Sequence, residues 1–132
     1  MKKVLITLVF TFCMTYVFGQ TQAEMNREAY ATYQKTDKEL NQVYGKILKA
    51  YAADTTFIHN LKASQQLWIR FRDAELKTLY PDREPGFYGS LHPVCRASYL
   101  AQLTQERIYT LQKWLTGAAE GDACAGSVRV KQ

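Results

Sequence analysis

Apolar side chains recur every three or four residues through most of this chain, and that spacing constrains the fold more than any other feature. The first such segment covers about residues 22–52, a second runs to about Tyr80, and a third extends from Pro93 to about Gly117. Steps of three and four place apolar residues on one face of an α-helix, and no segment shows the alternation typical of a strand. The sequence therefore predicts an all-α fold: a small bundle built on a long antiparallel helical hairpin plus a third helix.

The N-terminus has the features of a secretory signal peptide. Lys2 and Lys3 provide a positive start, residues 4–18 are apolar apart from three threonines, and a small residue, Gly19, precedes the expected cleavage point. The apolar run of 15 residues is shorter than the ~20 that a membrane-spanning helix needs. We therefore predict cleavage after Gly19 and no membrane anchor afterwards.

This division predicts three parts for the chain. Residues 1–19 are the signal peptide, residues 20–116 form one helical domain, and residues 117–132 are rich in Gly, Ala and Ser and are expected to form a flexible tail. Removing 19 of the 132 residues leaves 113, which is an ordinary size for one domain. The predicted location of the mature protein is periplasmic or secreted.

Charge and motif content exclude several classes of function. Without Lys2 and Lys3, 15 basic residues stand against 12 acidic ones, which gives the mature chain a net charge of +3. The charges are interspersed, so a nucleic-acid partner is not expected. The sequence has no phosphate-binding loop, no nucleotide fingerprint and no Ser-His-acid pattern, and its two histidines, His59 and His92, have no metal-ligand spacing. We expect no enzyme activity, no cofactor and no metal.

Two cysteines remain after cleavage, and the distance between them argues against an intramolecular bridge. A helix from Cys95 to about residue 116 is ~30 Å long. The eight residues from Gly117 to Cys124 reach ~26–29 Å when fully extended. Closure is barely feasible, so we expect free thiols or an intermolecular pair.

Several polar side chains lie on the apolar faces of the first two helices. In an antiparallel hairpin that turns near Asp54, facing residues have a constant index sum. The pairs Leu48–Leu61, Tyr44–Gln65, Asn41–Trp68 and Asp37–Arg72 all sum to 109. A charge on a buried face is costly unless it is paired, and the Arg72 guanidinium can bind the Asp37 carboxylate in two places.

These residues predict a structural polar network rather than a catalytic site. Asn41 and Gln65 are expected to bridge helices by hydrogen bonds. Arg107, on the inner face of the third helix, is expected to join the network through Asp73 or Glu75; the alternative is that it forms an anion site in the groove. The predicted network comprises Asp37, Asn41, Gln65, Arg72 and Arg107.

The segment from Pro81 to His92 is too rich in Pro and Gly for a helix or a strand and is the candidate partner-binding loop. Exposed aromatic residues beside charges are typical of binding surfaces. The alternative is that Phe87 and Tyr88 fold back over the open end of the hairpin; a combination, with Phe87 inside and Tyr88 outside, is also open. The candidate binding residues are Asp82, Arg83, Glu84, Tyr88 and His92.

Four motifs follow one another along the chain: Asp37-x-x-Leu40-Asn41-x-x-Tyr44, Leu61-x-x-Ser64-Gln65-x-x-Trp68-x-x-Phe71-Arg72-Asp73, Gly89-Ser90 and Leu103-Thr104-x-x-Arg107-x-x-x-Leu111. In these motifs the chain resembles the LprI-like lysozyme-inhibitor family, whose members are small exported bacterial domains. The resemblance spans about residues 21–116. The resemblance implies an all-helical periplasmic or secreted domain that inhibits lysozyme. The cysteines common in the family are replaced here by Glu28, Leu76 and Tyr99, so any disulfide must use Cys95 and Cys124.

Two hypotheses for function follow, with a third beside them. The first is an exported binding protein that blocks a cell-wall hydrolase such as lysozyme by inserting a loop into its cleft. A net charge of +3 gives no steering towards a basic lysozyme. The alternative is an envelope structural or interaction domain with no inhibitory activity. The third is a small-molecule binder that uses the Asp37–Arg72 end as a polar pocket.

Overall fold

The computed structural model describes the backbone of residues 2–131 and the side chains of residues 21–131. It contains three helices, α1 (Lys2–Ala50), α2 (Thr55–Leu79) and α3 (His92–Thr116), and the described residues form no strand. The all-α prediction is confirmed. The predicted signal peptide, residues 1–19, lies outside the residues whose side chains are described.

A tight turn joins α1 to α2 and makes them antiparallel. The Asp54 backbone N–H donates to the Tyr51 carbonyl at 2.9 Å, and the Asp54 side chain then accepts the Phe57 N–H at 2.9 Å as the N-cap of α2. An N-cap of this kind satisfies a backbone donor that the first turn of a helix leaves unpaired. The turn fixes the register of the hairpin, which determines the residues that face each other further along.

The hydrophobic core lies between all three helices but is densest between α1 and α3. Its buried members are Leu40, Val43, Ile47, Tyr51, Leu61, Ile108 and Leu111. The α1 members follow the three- and four-residue steps of the sequence pattern. The buried face of α3 also carries the small side chains of Ala97 and Thr104, and small side chains allow two helix backbones to approach closely.

The distance between α2 and α3 is larger than the distance between α1 and α3. Long polar side chains, described below, span that wider gap. The separation leaves a groove between α2 and α3. Among the described residues, no helix has an apolar stretch long enough to span a membrane.

The start of α1 differs from the sequence prediction. Helix α1 begins at Lys2 and not near Gln22, and the helical backbone continues without a break through the segment that was assigned to the signal peptide. Cleavage of the chain after Gly19 therefore stays a prediction.

The C-terminal segment, expected to be a flexible tail, instead folds back onto the bundle. Gly117 ends α3 with a φ of 77°, a left-handed conformation that favours glycine. The chain then returns so that Ala118 donates to the Arg129 carbonyl at 2.8 Å and accepts from the Lys131 N–H at 3.0 Å. These bonds form an isolated parallel bridge between Ala118 and Val130. The composition resembles that of a linker, but the segment has backbone and side-chain partners on the bundle.

Candidate functional site

Arg72 on α2 forms one ion pair that connects α2 to α1 and a second ion pair within α2. Its Nη1 lies 3.6 Å from Asp37 Oδ1 on α1, and its Nε and Nη2 donate to Asp73 Oδ1 at 3.0 and 2.9 Å. Its guanidinium carbon lies 5.4 Å from the centre of the Trp68 ring. The Arg72 side chain is 14% exposed and that of Asp37 is 40% exposed. The register with an index sum of 109 thus brings this acid and this arginine together.

Gln65 and Arg107 connect α2 to α3. Arg107 Nε donates to Gln65 Oε1 at 3.0 Å, and Arg107 Nη2 donates to Ser64 Oγ at 3.1 Å. The Gln65 side chain is buried, so this bond satisfies a polar group that is costly to leave unpaired. Arg107 also lies over the Trp68 ring at 5.9 Å, and desolvation by burial lowers its pKa from the ordinary value for arginine.

Two members of the expected network take other partners. Asn41 does not bridge helices: it is exposed and donates to the backbone carbonyl and the carboxylate of Asp37, one turn earlier in α1, at 2.9 and 3.2 Å. Arg107 does not reach either expected carboxylate. Asp73 is held by Arg72, and Glu75 accepts a hydrogen bond from the Tyr99 hydroxyl at 3.4 Å.

The reason is the register of α3 against α2. Because these helices are antiparallel, Tyr99 faces Glu75 and Arg107 faces Ser64 and Gln65, almost three turns away. The index sum of the first hairpin gives no information about this second pairing. Arg107 lies on the inner face of α3, as predicted, but its predicted partners, Asp73 and Glu75, are wrong.

The 81–92 loop has a defined internal structure. The Tyr88 hydroxyl donates to the Pro81 carbonyl at 2.7 Å. The Tyr88 ring also packs against Tyr80 at 5.4 Å and His92 at 4.6 Å, and Tyr80 and His92 are 4.9 Å apart. Two consecutive turns close the segment, with backbone bonds from Phe87 to Glu84 and from Gly89 to Gly86. The loop is therefore held by a three-ring cluster of Tyr80, Tyr88 and His92.

The exposed surface of this loop differs from one of the expected arrangements. Phe87 points outward and is 66% exposed, whereas Tyr88 is half-buried, so the combination with Phe87 inside and Tyr88 outside is wrong. Tyr88 turns inward because its hydroxyl can satisfy the Pro81 carbonyl while its ring packs, which Phe87 cannot do. Asp82 and Glu84 are exposed beside Phe87, and the Arg83 guanidinium lies 5.9 Å from the Phe87 ring centre.

Phe87 was missing from the candidate binding residues, and Tyr88 and His92 take a supporting role within the loop. Adjacent aromatic residues in a Pro-Gly turn give no periodic signal for which one is exposed, so the sequence did not distinguish Phe87 from Tyr88. The outward-facing set is Asp82, Arg83, Glu84 and Phe87.

A cavity of about 470 Å³ lies in the groove between α2 and α3, at the end of the bundle near the α1–α2 turn. Its apolar wall contains Phe57, Leu111 and Trp114, and its polar groups include Asn60, Ser64 and Arg107. We refer to this region as the α2–α3 groove.

No cluster of three His, Cys, Asp or Glu side chains suited to a metal occurs in the part of the chain that the structure describes. Cys95 and Cys124 are both exposed with free thiols.

The fold and these sites define a small all-α domain whose helices are bridged by arginine-centred polar contacts and whose α2–α3 connection is a structured aromatic loop. The chain matches the family described as "Lysozyme inhibitor LprI" over residues 13–111, three quarters of its length. It belongs to this family of lysozyme inhibitors. Searches of curated proteins and of solved structures give no significant match.

Proposed function

We propose that this protein is an exported inhibitor that binds a cell-wall hydrolase such as lysozyme and blocks its substrate cleft with the 81–92 loop. Membership of the inhibitor family supports the class of activity. We choose the 81–92 loop as the binding surface because Phe87, a large aromatic side chain, is 66% exposed on a loop with fixed internal structure.

The fixed structure of the loop favours binding because little ordering is left to complete on association. The Tyr88–Pro81 hydrogen bond and the packing of Tyr88 against Tyr80 and His92 hold the loop in the free protein. A preorganised segment loses less conformational entropy on binding than a mobile one. Exposed aromatic residues are also among the side chains that contribute most to interface affinity.

The charges beside Phe87 support a basic partner despite the net charge of the whole chain. The mature chain carries +3, which gives no long-range attraction to a basic lysozyme. Asp82 and Glu84, however, are exposed without an ion-pair partner among the described residues, and they flank the aromatic tip. Local carboxylates of this kind can pair with the partner's cations at short range.

Replacing Phe87 with Ala tests this surface. We expect the inhibition constant for lysozyme to rise by about 10- to 100-fold, because an aromatic anchor at the centre of an interface contributes about 2 kcal/mol or more. The measurement is lysozyme-catalysed clearing of a cell-wall suspension at increasing amounts of the mature protein. Tyr109→Ala is the matched control, since Tyr109 on α3 is also an exposed aromatic, at 80% exposure, and lies outside the loop.

The alternative function, an envelope structural or interaction domain, predicts a different result. The wild-type protein would then leave lysis unchanged even at a molar excess over lysozyme. That outcome would reject the inhibitor proposal. Equal inhibition by the wild type and Phe87→Ala would show that the protein is an inhibitor but that Phe87 and its loop are not the binding surface.

Export is part of the proposal and has its own test. We expect the mature chain to begin at Gln20 after cleavage behind Gly19, because the segment before it has a basic start and an apolar run too short to span a bilayer. Mass spectrometry of protein recovered from the periplasm or culture fluid measures the N-terminus. An intact chain that still begins with Met1 would contradict cleavage.

A further inference from the structure

The α2–α3 groove combines apolar walls with the guanidinium of Arg107, which forms no ion pair among the described residues. Phe57, Leu111 and Trp114 line one part of its 470 Å³ volume, and Arg107 projects from α3 into the same space. Binding sites for small organic molecules typically occupy about 300–1,000 Å³ and are mainly apolar with a few polar groups. The groove has both properties, and it lies away from the 81–92 loop, near the opposite end of α2.

Arg107 keeps hydrogen-bonding capacity that the protein does not use. A guanidinium has five N–H donors, and the contacts to Gln65 and Ser64 use two of them, both with neutral acceptors. No carboxylate of residues 21–131 forms an ion pair with Arg107, because the two acids once expected there are engaged by Arg72 and Tyr99. Desolvation lowers the pKa of Arg107, so its charge is held in a partly dry environment without a counterion.

The other charged group of the groove does not supply the missing anion. Asp54 lines the cavity and caps α2 through the Phe57 N–H, and its carboxylate forms no ion pair with Arg107. Contacts with Gln65, Ser64 and the Trp68 ring fix the position of Arg107. The guanidinium is therefore set in place before any ligand arrives.

We propose that the α2–α3 groove binds a small organic carboxylate. The carboxylate accepts hydrogen bonds from the free N–H groups of Arg107, and its apolar or aromatic body lies against Phe57 and Trp114. The planar guanidinium matches a carboxylate in shape and charge. The apolar walls select a ligand with a hydrophobic body over an inorganic anion. This site is separate from the inhibitor surface and goes beyond the proposed function.

The probe for this site is 4-phenylbutyrate, with its neutral amide 4-phenylbutyramide as the matched ligand. The two tryptophans of the chain, Trp68 and Trp114, both lie at the groove or against Arg107, so intrinsic tryptophan fluorescence reports binding directly. We expect saturable binding of the carboxylate with a Kd on the order of 1 mM or below, given a ligand of this size. The amide should bind at least about tenfold more weakly, since it lacks the charge that Arg107 pairs with.

Two variants and a control locate the site. Arg107→Gln should weaken 4-phenylbutyrate binding by about 10- to 100-fold while leaving the amide unchanged, because a charge-assisted bond is lost. Asn60→Trp fills the groove from an exposed position of α2 and keeps the charge of Arg107, and it should weaken both ligands. Arg70→Gln removes the same charge from an exposed position of α2 and should leave both affinities unchanged.

Several outcomes would overturn the site. Equal affinity for the carboxylate and the amide would show that the charge of Arg107 does not contribute to binding. Unchanged binding in folded Asn60→Trp would place the ligand elsewhere, as would an equal loss in Arg70→Gln. No saturable signal at concentrations about tenfold above the expected Kd would reject the proposal as a whole. Phe87→Ala should leave this binding intact, so failure of the groove and failure of the inhibitor loop are separable.

Discussion

A chain that ends at Gly117 should unfold with a free energy roughly 2–3 kcal/mol smaller than that of the full mature protein, which corresponds to a fall in melting temperature on the order of 10 °C. The reason is that the C-terminal segment covers the end of the bundle where α1 turns into α2. Thermal or urea unfolding followed by circular dichroism measures the difference. A tail without partners would leave both quantities unchanged on removal.

The expected loss comes from a small number of specific contacts. Arg129 donates from its backbone N–H to the Tyr51 hydroxyl at 3.3 Å and from its side chain to the Ala50 carbonyl at 2.8 Å. Its guanidinium lies 4.1 Å from the centre of the Tyr51 ring. Ser127 accepts from the Trp114 indole at 3.0 Å. The three hydrogen bonds, at about 1 kcal/mol each, and the cation–π contact set the size of the expected loss.

Point variants separate these contacts from the general effect of shortening the chain. Arg129→Ala removes the side-chain bond to the Ala50 carbonyl and the cation–π contact but keeps the backbone bond to the Tyr51 hydroxyl, and it should account for about half of the loss. Gly117→Ala should also destabilise, because Gly117 has a φ of 77° and an added Cβ would lie 3.0 Å from the Arg129 carbonyl oxygen. Glu120→Ala, at an exposed position of the same segment, is the control. Wild-type stability in both Arg129→Ala and the truncated chain would contradict this account.

Local and periodic features were predictable from the sequence. The three helices follow from apolar spacing, since each presents one face to the core, and the hairpin register follows from a single turn at Asp54. That register brings Asp37 and Arg72 within 3.6 Å. Both results depend on residues that are near in sequence or that face each other across the single turn between α1 and α2.

The features that sequence reasoning missed depend on contacts between distant parts of the chain. The partners of Arg107 depend on the placement of α3 against α2 across a long loop. The docking of Arg129 on Tyr51 joins residues 78 positions apart. The choice between Phe87 and Tyr88 as the buried ring depends on one hydroxyl that reaches the Pro81 carbonyl. None of these has a periodic signal, and composition alone made the C-terminal segment resemble a linker.

Replacing Arg72 with Ala should lower the free energy of unfolding by roughly 2–3 kcal/mol, less than the ~3–5 kcal/mol typical when a fully buried ion pair is broken from one side. The Arg72 side chain is mostly buried, but its carboxylate partners are not: Asp37 is 40% exposed and Asp73 is 57% exposed. Solvent can therefore rehydrate both acids once the guanidinium is gone. What is lost is the packing of the arginine on the Trp68 ring and its hydrogen bonds.

The same geometry predicts an unequal effect of the two single variants. Asp37→Ala should cost only about 0.5–1 kcal/mol, because Arg72 keeps its two bonds to Asp73 and the lost pair is partly exposed. A double variant, Asp37→Leu with Arg72→Leu, should recover much of the loss, since a well-packed apolar pair needs no compensation. Urea unfolding of the three variants, with lysozyme inhibition measured on the folded protein, tests the assignment. If both single variants kept wild-type stability but lost inhibition, Asp37 and Arg72 would belong to a partner-binding site rather than to the helix-bridging contacts.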